Sequence, residues 1–499
     1  MPAPATPDPR RWWILAALSL ALLVIGVDNT ILNVAIPTIE GDLGATTGQM
    51  QWIVDSYMLV FAGLLLTMGS LGDRFGRKKA LYTGLVLFGA SSALAAVATS
   101  SEMLIAARAS MGIGGALIMP ATLSIVMNVF PRSEHAKAIG IWAGVFGLGV
   151  AIGPTGGGFL LEHFEWGAVF LVNLPIVAAA LFAGAKLIPE SKDPSTPPLD
   201  IPGAVLSTVG LSALVYGLIE APAAGWFSGP TIAAFTVAAV LVGGFVRREL
   251  TTAHPMLDVR LFRLPAFSAA SGSLALTSFA LFGSIFFLTQ HMQGVLRYTP
   301  LEAGIRLLPV AGGMIVAAPL SAVVARRFGT RLTVAAGMGL VALGLSAMAF
   351  ADAGNGYGPV ALSMVLLSSG MGLSMAPATE SVMSVLPLAK AGVGSAMNDT
   401  VRMVGGALGV AVLGSVLSTG YRGGMDEAPA QAQESLSAAL GTGDPVIGQQ
   451  AIDAFVHGMH TTAIVAAAVA LAGAILAAAF LPRSRRSAAN VPVLEPAAA

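Results

Sequence analysis

The stretch GSLGDRFGRKK, Gly69 to Lys79, decides how the rest of this chain is read. Long apolar runs lie on both sides of it, and five charges crowd its last seven residues. In hydrocarbon an unpaired backbone group costs several kcal/mol, so a Gly-rich, strongly charged break belongs in water. Loops rich in Lys and Arg stay cytoplasmic, which places that water on the inner side.

The composition around it agrees. The chain has 499 residues, 55% hydrophobic and 10% charged, with mean hydropathy +0.79, where a soluble domain carries about 25% charged residues. These values describe a polytopic membrane protein embedded in the lipid bilayer. The formal net charge of zero gives no case for a nucleic-acid partner. The absence of cysteine excludes disulfides, thiolate metal sites and cysteine nucleophiles. MPAPATPDPRR, residues 1-11, is a short Pro-rich tail. The apolar run after it meets no small-residue cleavage site and is expected to remain as the first span.

A span needs roughly 20 mainly apolar residues. That rule gives fourteen, at 12-36, 51-71, 80-98, 103-128, 139-160, 168-188, 200-220, 230-247, 267-290, 302-323, 332-351, 359-382, 393-418 and 460-481. An even count returns both termini to one side. With that side cytoplasmic, every lysine and all but five of the 26 cations fall inside, as the charge rule for membrane loops requires. The exceptions are Arg108 and Arg402 within spans, Arg306 in the outer part of a span, and Arg297 and Arg422 outside.

The stretch ARRFGTR, Ala325 to Arg331, reads as a worn copy of GDRFGRK at Gly72 to Lys78, with Arg326 in place of the acid. Two halves with equivalent loops are what parallel repeats in a transporter predict, with substrate near the bilayer midplane between them. The expected division is a tail at 1-11, a six-span half at 12-190, two inserted spans with linkers at 191-265, a second half at 266-482 containing a long outer segment at 419-456 that is partly helical or mobile, and a tail at 483-499.

The absences bear on the energy source. No GxxxxGK[ST] phosphate loop is present, so an ATP pump on this chain alone is not expected, and neither HExxH nor GxSxG marks a hydrolase. The informative groups are the ionisable residues inside spans, since a charge at the bilayer centre costs about 3 kcal/mol or more and marks an ion or substrate path. Asp28, Asp55, Arg108, Asp399 and Arg402 qualify. Asp28, in VDNTILNVAIP, suits a proton carrier, the alternative being a carboxylate locked to a neighbouring Arg or Asn. Asp55, in QWIVDSYML, is a second coupling acid or a group facing water. Arg108 is followed by Gly112 and Gly115 on the same face, so a neighbouring backbone can come close beside a guanidinium that needs a carboxylate or carbonyls. It is expected to tune an acid such as Asp28, or to act as a structural clamp. Asp399 and Arg402 are three apart on one helical face and can pair with each other. Asn33 and Asn173 are polar groups that could contact substrate.

The fifth span reads GVFGLGVAIGPTGGGF, where Gly149, Gly153 and Gly157 form one stripe for close helix contact. Pro154 removes a backbone hydrogen bond and permits a bend. The stripe serves tight packing or a contact that opens and closes.

At these residues the chain resembles the major facilitator superfamily, specifically its fourteen-span drug/proton antiporter branch. GSLGDRFGRKK is similar to the superfamily's loop between spans two and three, Arg108 in its setting to the fourth-span motif, and the glycine stripe to the fifth-span motif of exporters. VDNTILNVAIP and NDTVRMVGGALG resemble the branch's first and late spans. The resemblance covers residues 12 to 483. It departs where the branch often carries Trp-Arg-Trp, since Trp166, Gly167 and Ala168 stand here. It implies an all-α transporter rather than an enzyme, exporting amphipathic, often cationic compounds in exchange for protons across the cytoplasmic membrane as a monomer, with the proton gradient in place of any cofactor. It also implies gating roles for Gly69, Gly72, Asp73, Arg74, Gly76 and Arg77, with Asp73 meeting the start of a span in the other half, for which the late span at 393-418 carrying Asp399 and Arg402 is the expected partner. A dedicated exporter of a self-made antibiotic would show the same features, and a non-transporting membrane sensor is a further alternative.

Overall fold

Apolar runs of this length satisfy their backbone groups in lipid only by bonding within the segment. The computed structural model describes residues 9–131, 134–192, 200–252, 255, 257, 259–352, 354–384 and 391–481, and among them there is helix and connection but no strand. The tail at 483-499, most of that at 1-11, and the cations Arg132, Lys390, Arg483, Arg485 and Arg486 lie outside the described residues.

The helices are α1 (Arg11–Leu43), α2 (Thr47–Phe75), α3 (Arg77–Ala96), α4 (Ser101–Val129), α5 (His135–His163), a short α6 (Ala168–Leu171) leading into α7 (Asn173–Leu187), α8 (Ile201–Ala224), α9 (Gly229–Thr251), α10 (Pro265–Gln290), α11 (Pro300–Arg306), α12 (Leu308–Phe328), α13 (Thr330–Met348), α14 (Gly358–Ser384), α15 (Ala391–Gly424), a short α16 (Leu436–Gly441) and α17 (Pro445–Phe480). Twelve of the fourteen expected spans each fall on one helix, while 168-188 falls on α6 and α7 and 302-323 on α11 and α12. Among the described residues twelve helical segments are long and apolar enough to cross a membrane. α2 adds a thirteenth if its two parts, Thr47–Leu65 and Thr67–Phe75, bent by 53°, form one span. The protein is an all-helical, multi-pass membrane protein.

Of the two alternatives for the outer segment 419-456, the structure has the partly helical one. α15 continues to Gly424 and α17 begins at Pro445, so the connection is only 425–444 and includes α16. Polar residues there extend the helices instead of ending them. Asp444 caps α17 by accepting from Val446 N, and Pro445 occupies the first position, where its missing N–H costs nothing. The connection is packed down: Met425 and Ala439 are buried, and the Tyr421 hydroxyl bonds to the carbonyls of Ala432 and Ser435.

Contacts divide the chain into two compact units. The first is Met1–Ala45, Trp52–Thr208 and Thr299–Ile305; the second is Thr46–Gln51, Val209–Tyr298 and Arg306–Ala499. In the first unit α1 is the core element, buried along most of its length from Ile14 to Glu40. The glycine stripe of α5 faces it. A Cβ at Gly149 would stand 2.9 Å from Leu23 O and Val27 N, and one at Gly157 2.7 Å from Ile31 Cγ1. The helices meet backbone to backbone, as small-residue stripes in membranes allow. In the second unit an apolar cluster draws on α10 (Phe267, Leu274), α13 (Val334, Met338), α14 (Ala378, Val382) and α17 (Ala474, Ala477).

The repeat survives in the backbone. Gly76 and Gly329 both have positive φ, 126° and 85°. Each donates its N–H four residues back, to Gly72 O and Ala325 O, and each carbonyl accepts from the following helix, from Ala80 N and Thr333 N. In both copies the Arg guanidinium lies over the adjacent Phe ring, Arg74 on Phe75 at 5.6 Å and Arg327 on Phe328 at 5.5 Å.

Candidate functional site: a buried ion pair and a clamped loop

The strongest polar constellation among the described residues lies inside the first unit. Asp28, near the middle of α1, is fully buried, and Arg108 of α4 is 2% exposed. Arg108 Nη1 donates to Asp28 Oδ2 at 2.6 Å, and its Nε donates to the Ile53 carbonyl of α2 at 3.2 Å. The Tyr57 ring lies under the guanidinium, 4.4 Å from it, and stacks on Phe61. The other carboxylate oxygen of Asp28 accepts from Asn173 Nδ2 at 3.1 Å, at the start of α7. Asn173 also donates to Ser92 Oγ of α3, which donates to the Phe170 carbonyl.

Glycine makes this approach possible. A Cβ on Gly112 would come within 2.7 Å of Tyr57 O and 3.2 Å of Phe61 N, and one on Gly115 within 3.0 Å of the Phe61 ring. Two turns of α4 therefore lie against α2 one and two turns beyond Arg108, which is the close approach expected from the sequence. Charge, aromatic face and carbonyl together compensate a guanidinium that cannot deprotonate.

The other expected residues are placed differently. Asp55 is fully buried, and among the described residues neither carboxylate oxygen has a hydrogen-bond partner. That removes the water-facing alternative in this structure. Asn33 is buried and donates to the carbonyls of Asn29 and Thr30 in its own helix. Asn173 has no exposed surface and belongs to the Asp28 network. Asp399 and Arg402 stand 3.8 Å apart, 12% and 28% exposed, a loose pair. Tyr57 and Ser92 were not singled out in the sequence; a tyrosine two residues from an acid inside an apolar run was the available signal for the first.

The loop Gly72 to Lys78 is clamped within the same unit. Arg77 Nε bonds to Asp73 Oδ1 at 2.7 Å, and Arg77 N donates to the Ser191 carbonyl. Lys78 N donates to Glu190 Oε1 at 3.1 Å, while Lys78 Nζ reaches the carbonyls of Ala185 and Ile188 at 3.2 and 2.7 Å. The partner expected for Asp73, the first turn of α15, falls among residues whose side chains are not described. Two clefts, each of about 720 Å³, lie elsewhere and contain none of the residues of the ion pair, its network or the clamped loop.

Residues 18–410 match the family described as Major Facilitator Superfamily. The chain is 39% identical over 485 residues to the multidrug efflux pump LfrA of Mycolicibacterium smegmatis, covering 94% of this chain and 96% of that protein. It is 36% identical to the tetracenomycin C resistance and export protein of Streptomyces glaucescens, covering 82% and 76%. Among solved structures it resembles a bacterial homologue of the human lysosomal transporter Spinster, with TM-score 0.68 at 17% identity over 94% and 98% of the two chains.

Proposed function

The chain belongs to the Major Facilitator Superfamily, and from that premise we propose that it is a fourteen-span exporter of amphipathic drugs or antibiotics, driven by inward movement of protons. The observation that carries the coupling is the buried Asp28–Arg108 pair with Asn173 on the free carboxylate oxygen. A charge pair inside a span marks an ion path, and a carboxyl is the member of the pair able to take and release a proton. The efflux pump and the antibiotic export protein among its relatives support the direction and the substrate class. The second of them also favours the narrower alternative of a single self-made antibiotic as cargo.

Support for the span count comes from α5, whose 29 residues extend about 43 Å, longer than the hydrocarbon core of about 30 Å. With the charge asymmetry of the loops this supports the reading of fourteen spans with cytoplasmic termini. Substrate enters from the cytoplasm or inner leaflet while Asp28 is charged, and protonation from outside resets the site. At a membrane potential of about 150 mV, one inward charge supplies roughly 3.5 kcal/mol, enough for a gradient of a few hundredfold. One proton per cycle suffices for a neutral drug.

The test is Asp28→Asn in inverted membrane vesicles. Proton-driven uptake of an ethidium-like dye should disappear while dye binding to the purified protein remains. Undiminished proton-driven uptake in that variant refutes the assignment.

A further inference from the structure

Asn173 and the clamp on Lys78 are attached to opposite ends of one helix. We propose that α7 carries the protonation state of Asp28 to the loop at Gly72 to Lys78, with Asn173 reading the carboxyl at one end and Glu190 and Lys78 tying the loop to the other. The proposal rests on the reading that Asp28 takes up the coupling proton.

At the buried end, Asn173 Nδ2 donates to Asp28 Oδ1 and Ser92 Oγ, while Asn173 Oδ1 is buried with no hydrogen-bond partner among the described residues. A carboxylate only accepts, whereas a carboxylic acid also donates. Asparagine answers both states, presenting its amide N–H to the carboxylate or its oxygen to the acid. Protonation of Asp28 therefore changes what the first residue of α7 must offer. The groups facing Asp28 are Arg108 from α4 and Asn173 from α7, with the Tyr57 ring of α2 against the guanidinium. α5 presents glycines to α1 and adds no charge there.

The fifteen residues of α7 reach about 22 Å along the helix axis. At the far end the last carbonyls of a helix have no partner within it, and here those of Ala185 and Ile188 take the Lys78 ammonium. In return Glu190 Oε1 accepts from Lys78 N in the first turn of α3, and Ser191 O accepts from Arg77 N, where a helix N-terminus favours an acid. A third tie lies between, from the Tyr82 hydroxyl of α3 to Leu181 O at 2.7 Å. Displacement of α7 along or about its axis therefore pulls on both ends of the loop's second half.

The absence of cysteine permits a single nitroxide label at Phe75→Cys, a position 59% exposed, in the full chain reconstituted in liposomes. Label mobility is followed against pH, and proton release on adding dye is measured on the same preparations. The parent protein should change loop mobility over the pH range in which proton release changes. Asn173→Leu should lose the mobility change. Lys78→Met and Glu190→Ala, at the water-facing end and independent of the buried network, should lose the mobility change and retain proton release. Loop mobility that still follows pH in Lys78→Met and Glu190→Ala as in the parent overturns the linkage. Proton release that survives Asp28→Asn overturns the coupling role of Asp28 itself, a separate failure.

Discussion

Removing one member of the Asp28–Arg108 pair should cost far more than removing both. In Asp28→Asn the new amide keeps an oxygen for Asn173 Nδ2, so that hydrogen bond survives and the loss is the charge. Arg108, 2% exposed, then retains only the Ile53 carbonyl at 3.2 Å and the Tyr57 ring at 4.4 Å. A charge pair with centres about 4 Å apart is worth about 4 kcal/mol at an effective dielectric of 20, and the ring returns about 2 kcal/mol when desolvated. Breaking one side of a buried pair typically costs about 3–5 kcal/mol, whereas exchanging both partners for neutral groups is often close to neutral. Arg108→Gln should cost a similar amount, because Asp28 would keep only the Asn173 amide. Asp28→Asn/Arg108→Gln should therefore be more stable than either single variant. The assay is thermal unfolding of detergent-purified protein, followed by monodispersity, for the four members of the cycle. Two single losses that simply add in the double variant, each below about 1 kcal/mol, would show that the pair is not desolvated.

Other substitutions probe the packing around this network. Gly149→Ala sets a methyl 2.9 Å from the α1 backbone at Leu23 O and Val27 N, so α5 must shift; a loss of about 1–3 kcal/mol is expected in the same melting assay. Gly76→Ala meets both a φ of 126° and the Glu190 carboxylate 2.7 Å from the added carbon; of the expected cost of about 1–3 kcal/mol, adding Glu190→Ala should restore only the steric part. Arg402→Ala removes a 3.8 Å, partly exposed pair and should shift stability by less than about 1 kcal/mol. Asp73→Ala frees Arg77 and should lower dye turnover while leaving dye binding intact; a variant that loses binding and keeps its rate would displace the loop from gating.

How far the sequence could be read follows from which forces act locally. Span positions were legible because hydropathy and loop charge act residue by residue, and the glycine stripe was legible because it repeats every fourth residue. Arg108 announced its need for a carboxylate, and Asp28 could be suggested as the partner because few acids lie at that depth. Asn173 could not be placed beside them: its role depends on α7 returning to α1, a distance of 145 residues along the chain, and nothing in its own neighbourhood marks it. How far α15 and α17 run into the outer segment is not legible for the opposite reason. Polar, Ala- and Gly-rich sequence reads as loop by composition, yet Asp444 and Pro445 cap a helix there and the Tyr421 hydroxyl fastens the connection.

The ion pair also limits how a proton can be exchanged for a drug. Asp28 and Arg108 together are neutral, and Asn173 closes the remaining carboxylate oxygen, so a drug need not displace the proton from the same atoms. On the proposed cycle, protonating Asp28 leaves the positive charge of Arg108 uncompensated except by the Ile53 carbonyl and the Tyr57 ring. A cationic drug about 8 Å away would then be repelled by about 2 kcal/mol at an effective dielectric of 20, roughly a thirtyfold weakening. Exclusion of drug by proton would thus act through charge at a distance, and a neutral drug would feel little of it. Dye binding to purified protein should weaken by about that factor on acidification for a monovalent cation and hardly change for an uncharged analogue. Equal weakening of both would mean that proton and drug compete for the same atoms.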